Sequence, residues 1–195
     1  MGVTDLGLPT VRSLLEERVA RELSEHPKWA AVAMMLREGS RGPEVFFIRR
    51  AEHPRDPWSG HMAVPGGRHE SDDPSLLATA IRETQEEVGL DLRAEADHIG
   101  QLDDLQAIAR GKPQETVIRP FVFEVHRDTP ILADEREVAE ALWTPLLPLY
   151  RGEADTTRPY RWHGTQIDFP AYDVHGRVVW GLTYQMLRSF FRILG

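Results

Sequence analysis

The sequence predicts an α/β fold in which a mixed β-sheet lies between helices. Runs of β-forming residues outnumber helical ones along the 195 positions. The helical stretches are amphipathic, and each carries one apolar stripe that has to be covered. A sheet flanked by helices buries both kinds of surface. The length is that of one domain with ample core. We therefore expect a single domain over 1–195, with residues 1–28 as a helical extension and residues 66–90 as the loop and helix that carry the chemistry.

The elements follow in order. Residues 9 to about 25 read as a helix, with Val11, Leu14, Leu15, Val19 and Leu23 at helical spacing and Pro9 suited to its first turn. Residues 29–37 and 44–50 are β-rich, and the turn-forming stretch 38–43 between them suggests a hairpin. A polar loop over 51–60 leads to a short strand at 61–64, then to a glycine turn and a helix over 74–88. Further strands are expected at 99–102 and 116–126, joined by a flexible connection that contains Gly111, Lys112 and Pro113. A strand at 138–143 runs into a helical turn at 145–150. After a polar stretch come strands at 167–172 and 177–180, and a closing helix over 182–194 has Leu182, Met186, Leu187, Phe190 and Ile193 on its apolar side. No internal repeat or low-complexity tract interrupts the chain.

Composition narrows the function. Hydrophobic content of 41% and charged content of 28% describe an ordinary globular chain. No apolar run approaches the roughly 18 residues needed to span a bilayer, and Asp5 stands where a signal peptide would need basic residues. The absence of cysteine excludes disulfides and thiolate metal sites and fits a cytoplasmic protein. A net charge of −8 argues against a bulk nucleic-acid binder. It leaves room for one nucleotide diphosphate, which a cation and a few arginines can neutralise locally.

The most informative segment is Arg82-Glu83-Thr84-Gln85-Glu86-Glu87-Val88-Gly89-Leu90. At roughly 100° per residue, Glu83, Glu86 and Glu87 share one arc of a helix, beside an apolar stripe of Leu77, Ala80, Ile81, Thr84 and Val88. Like charges four residues apart cost roughly 0.2–0.5 kcal/mol, and carboxylates in a last turn oppose the helix dipole. Arg82 offsets part of this. An unfavourable cluster beside a buried face is where function should be sought, and a divalent cation would turn the repulsion into coordination. Upstream, Val64-Pro65-Gly66-Gly67 allows a backbone approach to a ligand that side chains would block.

Taken together, these residues resemble the box of the Nudix hydrolase family, G-x5-E-x7-R-E-U-x-E-E-x-G-U with U apolar, over the 24 residues from Gly67 to Leu90. The second half matches at every specified position except Thr84, which stands for an apolar residue. The first half departs. Gly67 to Arg82 is one residue too long, and counting back from Arg82 puts Pro74 where the first glutamate belongs. Asp73, Asp72 and Glu70 are the carboxylates available there, and none is assigned the role. The resemblance implies a Nudix α/β/α sandwich and Mg²⁺- or Mn²⁺-dependent hydrolysis of a diphosphate bond in a nucleoside diphosphate linked to some moiety X.

On that resemblance Glu86 and Glu87 are the first choice as direct metal ligands, with Glu83 binding through water or a second ion, or positioning the attacking water. The Gly66 carbonyl would complete the metal shell, and Arg82 would hold Glu86. Arg50, Arg55 and Gly67 are the candidates to meet substrate, alongside Arg49. The family often recruits another acid from a later loop, and Glu115, Glu135, Glu137 and Glu140 are all available. Ser59 and Ser71 lack a histidine–acid arrangement, so no covalent mechanism is expected. Two segments are similar to the coenzyme A pyrophosphatase branch. One is Arg50-Ala51 with Arg55, Gly60 and Val64-Pro65-Gly66-Gly67, although Val64 replaces an aromatic and the spacing is one residue long. The other is Val179-Trp180-Gly181-Leu182-Thr183, which also reads as a buried tryptophan at a tight helix start. Coenzyme A or an acyl ester is the substrate this favours. Trp58, Tyr160 and Trp162 could stack on an adenine. Other nucleoside-diphosphate or triphosphate substrates such as ADP-ribose, a non-catalytic nucleotide sensor, and a purely structural domain stay open as alternatives. So does a homodimer through the first or last helix.

Overall fold

The computed structural model describes residues 7–24, 28–54, 58–109, 112–126, 129–162 and 165–195. Its centre is an eight-stranded sheet built from β1 (Lys28–Gly39), β2 (Gly42–Arg50), β3 (Met62–Ala63), β4 (Gly66–Arg68), β5 (Ala96–Gln101), β6 (Leu105–Ala109), β7 (Lys112–Val125) and β8 (Val138–Pro145). β1 and β7 run parallel over nine residue pairs, from Lys28↔Thr116 to Leu36↔Glu124, and the other pairings are antiparallel, so the sheet is mixed as expected.

Side chains alternate across each strand, and here both faces are buried. From β1, β2 and β7, the residues Met34, Leu36, Val45, Phe47 and Val122 join one core. Their neighbours Ala31, Ala33, Met35, Phe46, Ile48, Phe121 and Phe123 join another. The first core is closed by α1 (Leu8–Glu16), α4 (Leu146–Tyr150) and α5 (Gly181–Leu194). The second is closed by α2 (Leu76–Val88) and α3 (Leu92–Glu95). This double coverage explains the unbroken apolar run at the start of β1 and makes the α/β/α sandwich. A second sheet, β9 (Asp155–Trp162), β10 (Thr165–Val174) and β11 (Arg177–Trp180), packs beside α5 and β3. Among the described residues no helix is long and apolar enough to cross a membrane.

One irregularity positions the site. β1 pairs β2 only over residues 36–39, near the hairpin turn. Beyond that the two strands part, and the gap is filled by β4 on β1 and β3 on β2. The expected glycine turn is thus a strand in its own right, with Ala31 opposite Gly67 and Val32 opposite Gly66.

Three expectations are corrected. α1 ends at Glu16 rather than near residue 25. Residues 18–24 instead form an extended strap: the N–H groups of Arg21 and Leu23 donate to Asp103 Oδ1 and Asp104 Oδ2, at 2.8 and 2.7 Å. Val19, assigned to the apolar stripe, is 94% exposed. The flexible connection after residue 102 contains β6, which pairs with β7 through Leu105↔Ile118 and Gln106↔Val117. The polar stretch after residue 150 contains β9, hydrogen-bonded along β10.

Asp104 anchors the strap. Its carboxylate is buried and bridges Leu23 N–H to a two-bond pairing with Arg119 at 2.8 Å each. Replacing it takes the two-bond partner from a partly buried guanidinium that keeps its ion pair with Glu22 at 3.2 Å. Asp104→Ala is expected to lower unfolding free energy by about 2–3 kcal/mol in urea titrations and to open Arg18 and Arg21 to trypsin. Unchanged stability and unchanged cleavage would remove the anchoring role.

Candidate functional site

The site is built where β4 meets α2. Ser75 caps the helix, its hydroxyl accepting from Ala78 N–H at 3.1 Å. Gly89 ends it in the left-handed conformation, φ 70°. Ala80, Ile81, Thr84 and Val88 face the core. Thr84 is fully buried, and its hydroxyl donates to the Ala80 carbonyl at 2.7 Å, so an apolar slot accepts a hydroxyl without leaving it unpaired.

The three glutamates of the arc occupy different environments. The Glu87 residue is 1% exposed. Its Oε2 accepts the Gly66 N–H at 2.9 Å, and Arg50 stands 3.7 Å from its Oε1. Burial pushes its carboxyl up to about 8; the Gly66 N–H and Arg50 oppose the shift, and Glu83 and Glu137 reinforce it. Burial also raises Glu83, against the pull of Arg82. The Glu86 side chain is 54% exposed and is held by Arg82 at 3.0 Å.

Close packing explains the glycine pair. A Cβ on Gly66 would lie 2.3 Å from the Ala31 carbonyl oxygen and 2.5 Å from Val32 Cα, at a φ of 147°. A Cβ on Gly67 would lie 2.4 Å from the Glu83 carboxylate. The first position has no room because the backbone of β1 is there, the second because Glu83 is.

Arg82 is the organising cation. It donates to both oxygens of Asp73 at 2.9 and 3.0 Å, to the Arg68 carbonyl at 3.1 Å and to Glu86 at 3.0 Å, and it pairs with Glu83 at 3.0 Å. Asp73 is itself held by the Thr79 hydroxyl and the Glu70 N–H, and Arg82 keeps its carboxyl well below the usual range. Of the three loop carboxylates the sequence left open, Asp73 is the one that Arg82 grips. Counting forward six positions from Gly67 reaches it, whereas counting back from Arg82 reaches Pro74.

The later acids separate clearly. Glu115 pairs with Lys28, and Glu140 is shared by Arg49 and Arg177. The loop before β8 docks on the end of α2: Leu132 N–H and Asp134 N–H donate to the carbonyls of Val88 and Glu87, each at 2.9 Å. That docking brings Glu137 close enough to raise both Glu83 and Glu87. Arg55 lies outside the described residues.

The chemistry of the donors suits a hard cation: three carboxylates on one helical arc, two of them raised by burial. Among the described residues no group of three or more histidine, aspartate or glutamate side chains is placed so that it could hold a metal ion. Glu86 is turned toward Arg82 and Glu87 toward Gly66.

Known proteins share this arrangement of chain. A NUDIX domain model matches residues 26–163. An uncharacterized Schizosaccharomyces pombe protein is 38% identical over 133 residues, 67% of this chain, and the match spans only 39% of that relative. The uncharacterized Nudix hydrolase NudL of Yersinia pestis is 31% identical over 151 residues, covering 75% of this chain and 70% of the relative. The crystal structure of a MutT/nudix family protein from Enterococcus faecalis gives a TM-score of 0.54 at 15% identity, covering 96% of this chain and 68% of that one, a likeness of fold.

The geometry separates the three loop carboxylates by experiment. Asp73→Ala strips Arg82 of its two-bond partner and is expected to cost about 2–3 kcal/mol. Asp72→Ala and Glu70→Ala should stay within about 0.5 kcal/mol of the parent. Chemical denaturation of the three variants measures this, and equal effects would remove Asp73 from its anchoring position.

Proposed function

The chain belongs to the Nudix hydrolase family, and on that premise we propose that it is a divalent-cation-dependent pyrophosphohydrolase acting on a nucleoside diphosphate linked to a moiety X. The observation that carries this reading is the buried Glu87 carboxylate, whose desolvation the Gly66 N–H at 2.9 Å and Arg50 at 3.7 Å oppose in part. A fold that needed nothing there would place an apolar residue.

Glu83, Glu86, Glu87 and the Gly66 carbonyl would hold Mg²⁺ or Mn²⁺. When bound, the cation neutralises phosphate oxygens and acidifies a coordinated water. The chain's own residues position the reactants. Arg82, fixed by Asp73, keeps Glu83 and Glu86 on one side of the helix. Gly67 lets the Glu83 carboxylate pack against the backbone. Arg50 stands where a diphosphate oxygen would approach Glu87. Glu137 is the later-loop acid we assign to receive or orient a proton, supported by its electrostatic reach to Glu83 and Glu87. Coenzyme A or an acyl ester is the substrate we favour, on Arg50-Ala51 and on Trp180-Gly181-Leu182-Thr183. A cytoplasmic setting accords with a chain that has no cysteine.

A screen of coenzyme A, acyl-coenzyme A, ADP-ribose, NADH and nucleoside triphosphates with Mg²⁺ or Mn²⁺, read by product mass, is expected to yield two phosphate-bearing products from at least one substrate. EDTA should abolish turnover. Glu86→Gln and Glu87→Gln should each lower kcat by about a hundredfold or more, and Gly67→Ala, which displaces Glu83, by about a hundredfold. Turnover that survives both glutamine variants would remove these residues from the reaction. Thermal stabilisation by a nucleotide without turnover would identify a sensor instead.

A further inference from the structure

The second sheet carries an aromatic face that folding does not require. Tyr160 lies opposite Ile167, Arg158 opposite Phe169, and Ala171 opposite Trp180. Directly opposed residues share a face, so Arg158, Tyr160, Ile167, Phe169 and Trp180 all project to one side. Ring centroids are 6.0 Å apart for Tyr160–Phe169 and for Phe169–Trp180, and 5.9 Å for Tyr160–Trp180. His61, just before β3, lies 5.1 Å from Trp180. The Arg158 guanidinium sits 5.9 Å over the Trp180 ring and makes no ion pair among the described residues.

These rings are not core. Phe169 is 38% and Ile167 40% exposed, and Tyr160, Trp180 and His61 are half-buried. The tight helix start expected around Trp180 is real, but its buried member is Thr183, whose hydroxyl donates to the Met62 carbonyl at 3.1 Å. Trp180 is left at the surface, and a clustered, accessible aromatic face is a recognition feature.

Its position says for what. The His61 carbonyl accepts the Arg50 N–H at 3.0 Å, and the Arg50 side chain stands beside Glu87. Next to it in the chain, Arg49 shares the carboxylate of Glu140 with Arg177 of β11. The face is thus linked to the Arg50–Glu87 pair through the backbone of His61, and Arg158 adds a guanidinium to its flat π surfaces. A second copy of the chain seated symmetrically on it would bring like charges together. A planar heterocycle attached to phosphates satisfies both features.

We propose that this face seats the nucleobase of the diphosphate substrate, stacked on Trp180 and Phe169 with Arg158 at its margin. The assignment rests on the diphosphate reading of the carboxylate site and adds the element that recognises the base. It makes Trp180 and Phe169 specificity-determining residues that act on affinity without touching the bond that breaks.

Calorimetric titration with Mg²⁺ tests this using two non-hydrolysable probes, adenosine 5′-(α,β-methylene)diphosphate and methylenediphosphonate, which lacks the base. The parent should bind the adenosine probe more tightly. Phe169→Ala and Trp180→Ala should each weaken it about tenfold or more while leaving methylenediphosphonate unchanged, and Trp180→Phe should restore most of the loss. Equal weakening of both probes, unaltered affinity in the variants, or a dimer-to-monomer change by light scattering at constant affinity would overturn the proposal. If the base adds nothing in the parent while methylenediphosphonate still binds, only this inference fails. If neither probe binds the parent, the reading of the carboxylate site fails with it.

Discussion

Much of this structure answers one constraint, the burial of a carboxylate at the end of a helix whose dipole opposes it. Glu87 is closed off from water, and its direct hydrogen bond comes from one backbone N–H, that of Gly66. A backbone group can serve an internal side chain only if the strand carrying it comes unusually near. β4 does so by lying on β1 in the gap where β2 has diverged. The glycine pair follows from that approach, because any Cβ there would meet the β1 backbone or the Glu83 carboxylate. Strand divergence, glycine pair and buried acid are one arrangement seen from three sides.

The same constraint explains why the neighbouring charges are so heavily tied. Three carboxylates within one turn repel one another and the helix end. Arg82 answers two of them and is itself pinned by Asp73 from the preceding loop. At the C-terminus the carbonyls of Glu87 and Val88, which a helix end leaves without intrahelical partners, are met by N–H groups from the loop before β8. That loop stabilises the end of the helix and delivers Glu137 toward the cluster. Packing and chemistry are served by one set of hydrogen bonds, so the geometry of the acids is fixed by elements far apart in sequence.

The two faces of the central sheet divide the work. On one, α2 and α3 cover a core that leads into the carboxylates. On the other, α1, α4 and α5 close the larger core, and the 18–24 strap is fastened by Asp103 and Asp104. The second sheet belongs to that side, since Tyr172, Val174 and Val179 enter its core, β11 packs on β3 and Thr183 is bonded to Met62. An aromatic surface at that junction is held by the rigid scaffold and does not depend on a free loop.

Local periodicity was enough for the α/β class, the long strands β1, β2 and β7, the helices α2 and α5, and the acidic turn, because each is written as a repeat of 2 or 3.6 residues within one segment. It also marked Gly89 as a helix stop; Gly66 and Gly67, read as room for a ligand, are packed against β1 and the Glu83 carboxylate. Tertiary structure decided the rest. β4 is short and is a strand because β1, distant in the chain, supplies its hydrogen bonds, whereas β6 and β9 are strands through hairpin pairing with β7 and β10. α1 stops at Glu16 because the N–H groups of Arg21 and Leu23 find carboxylates about 80 residues away that local spacing cannot show. The choice of Asp73 among three loop carboxylates, and the distinct burial of Glu83, Glu86 and Glu87 on one helical arc, were settled by which groups the packed sheet brought within hydrogen-bonding distance. A hydrogen bond is a condition on positions in space, and the chain order alone does not contain those positions.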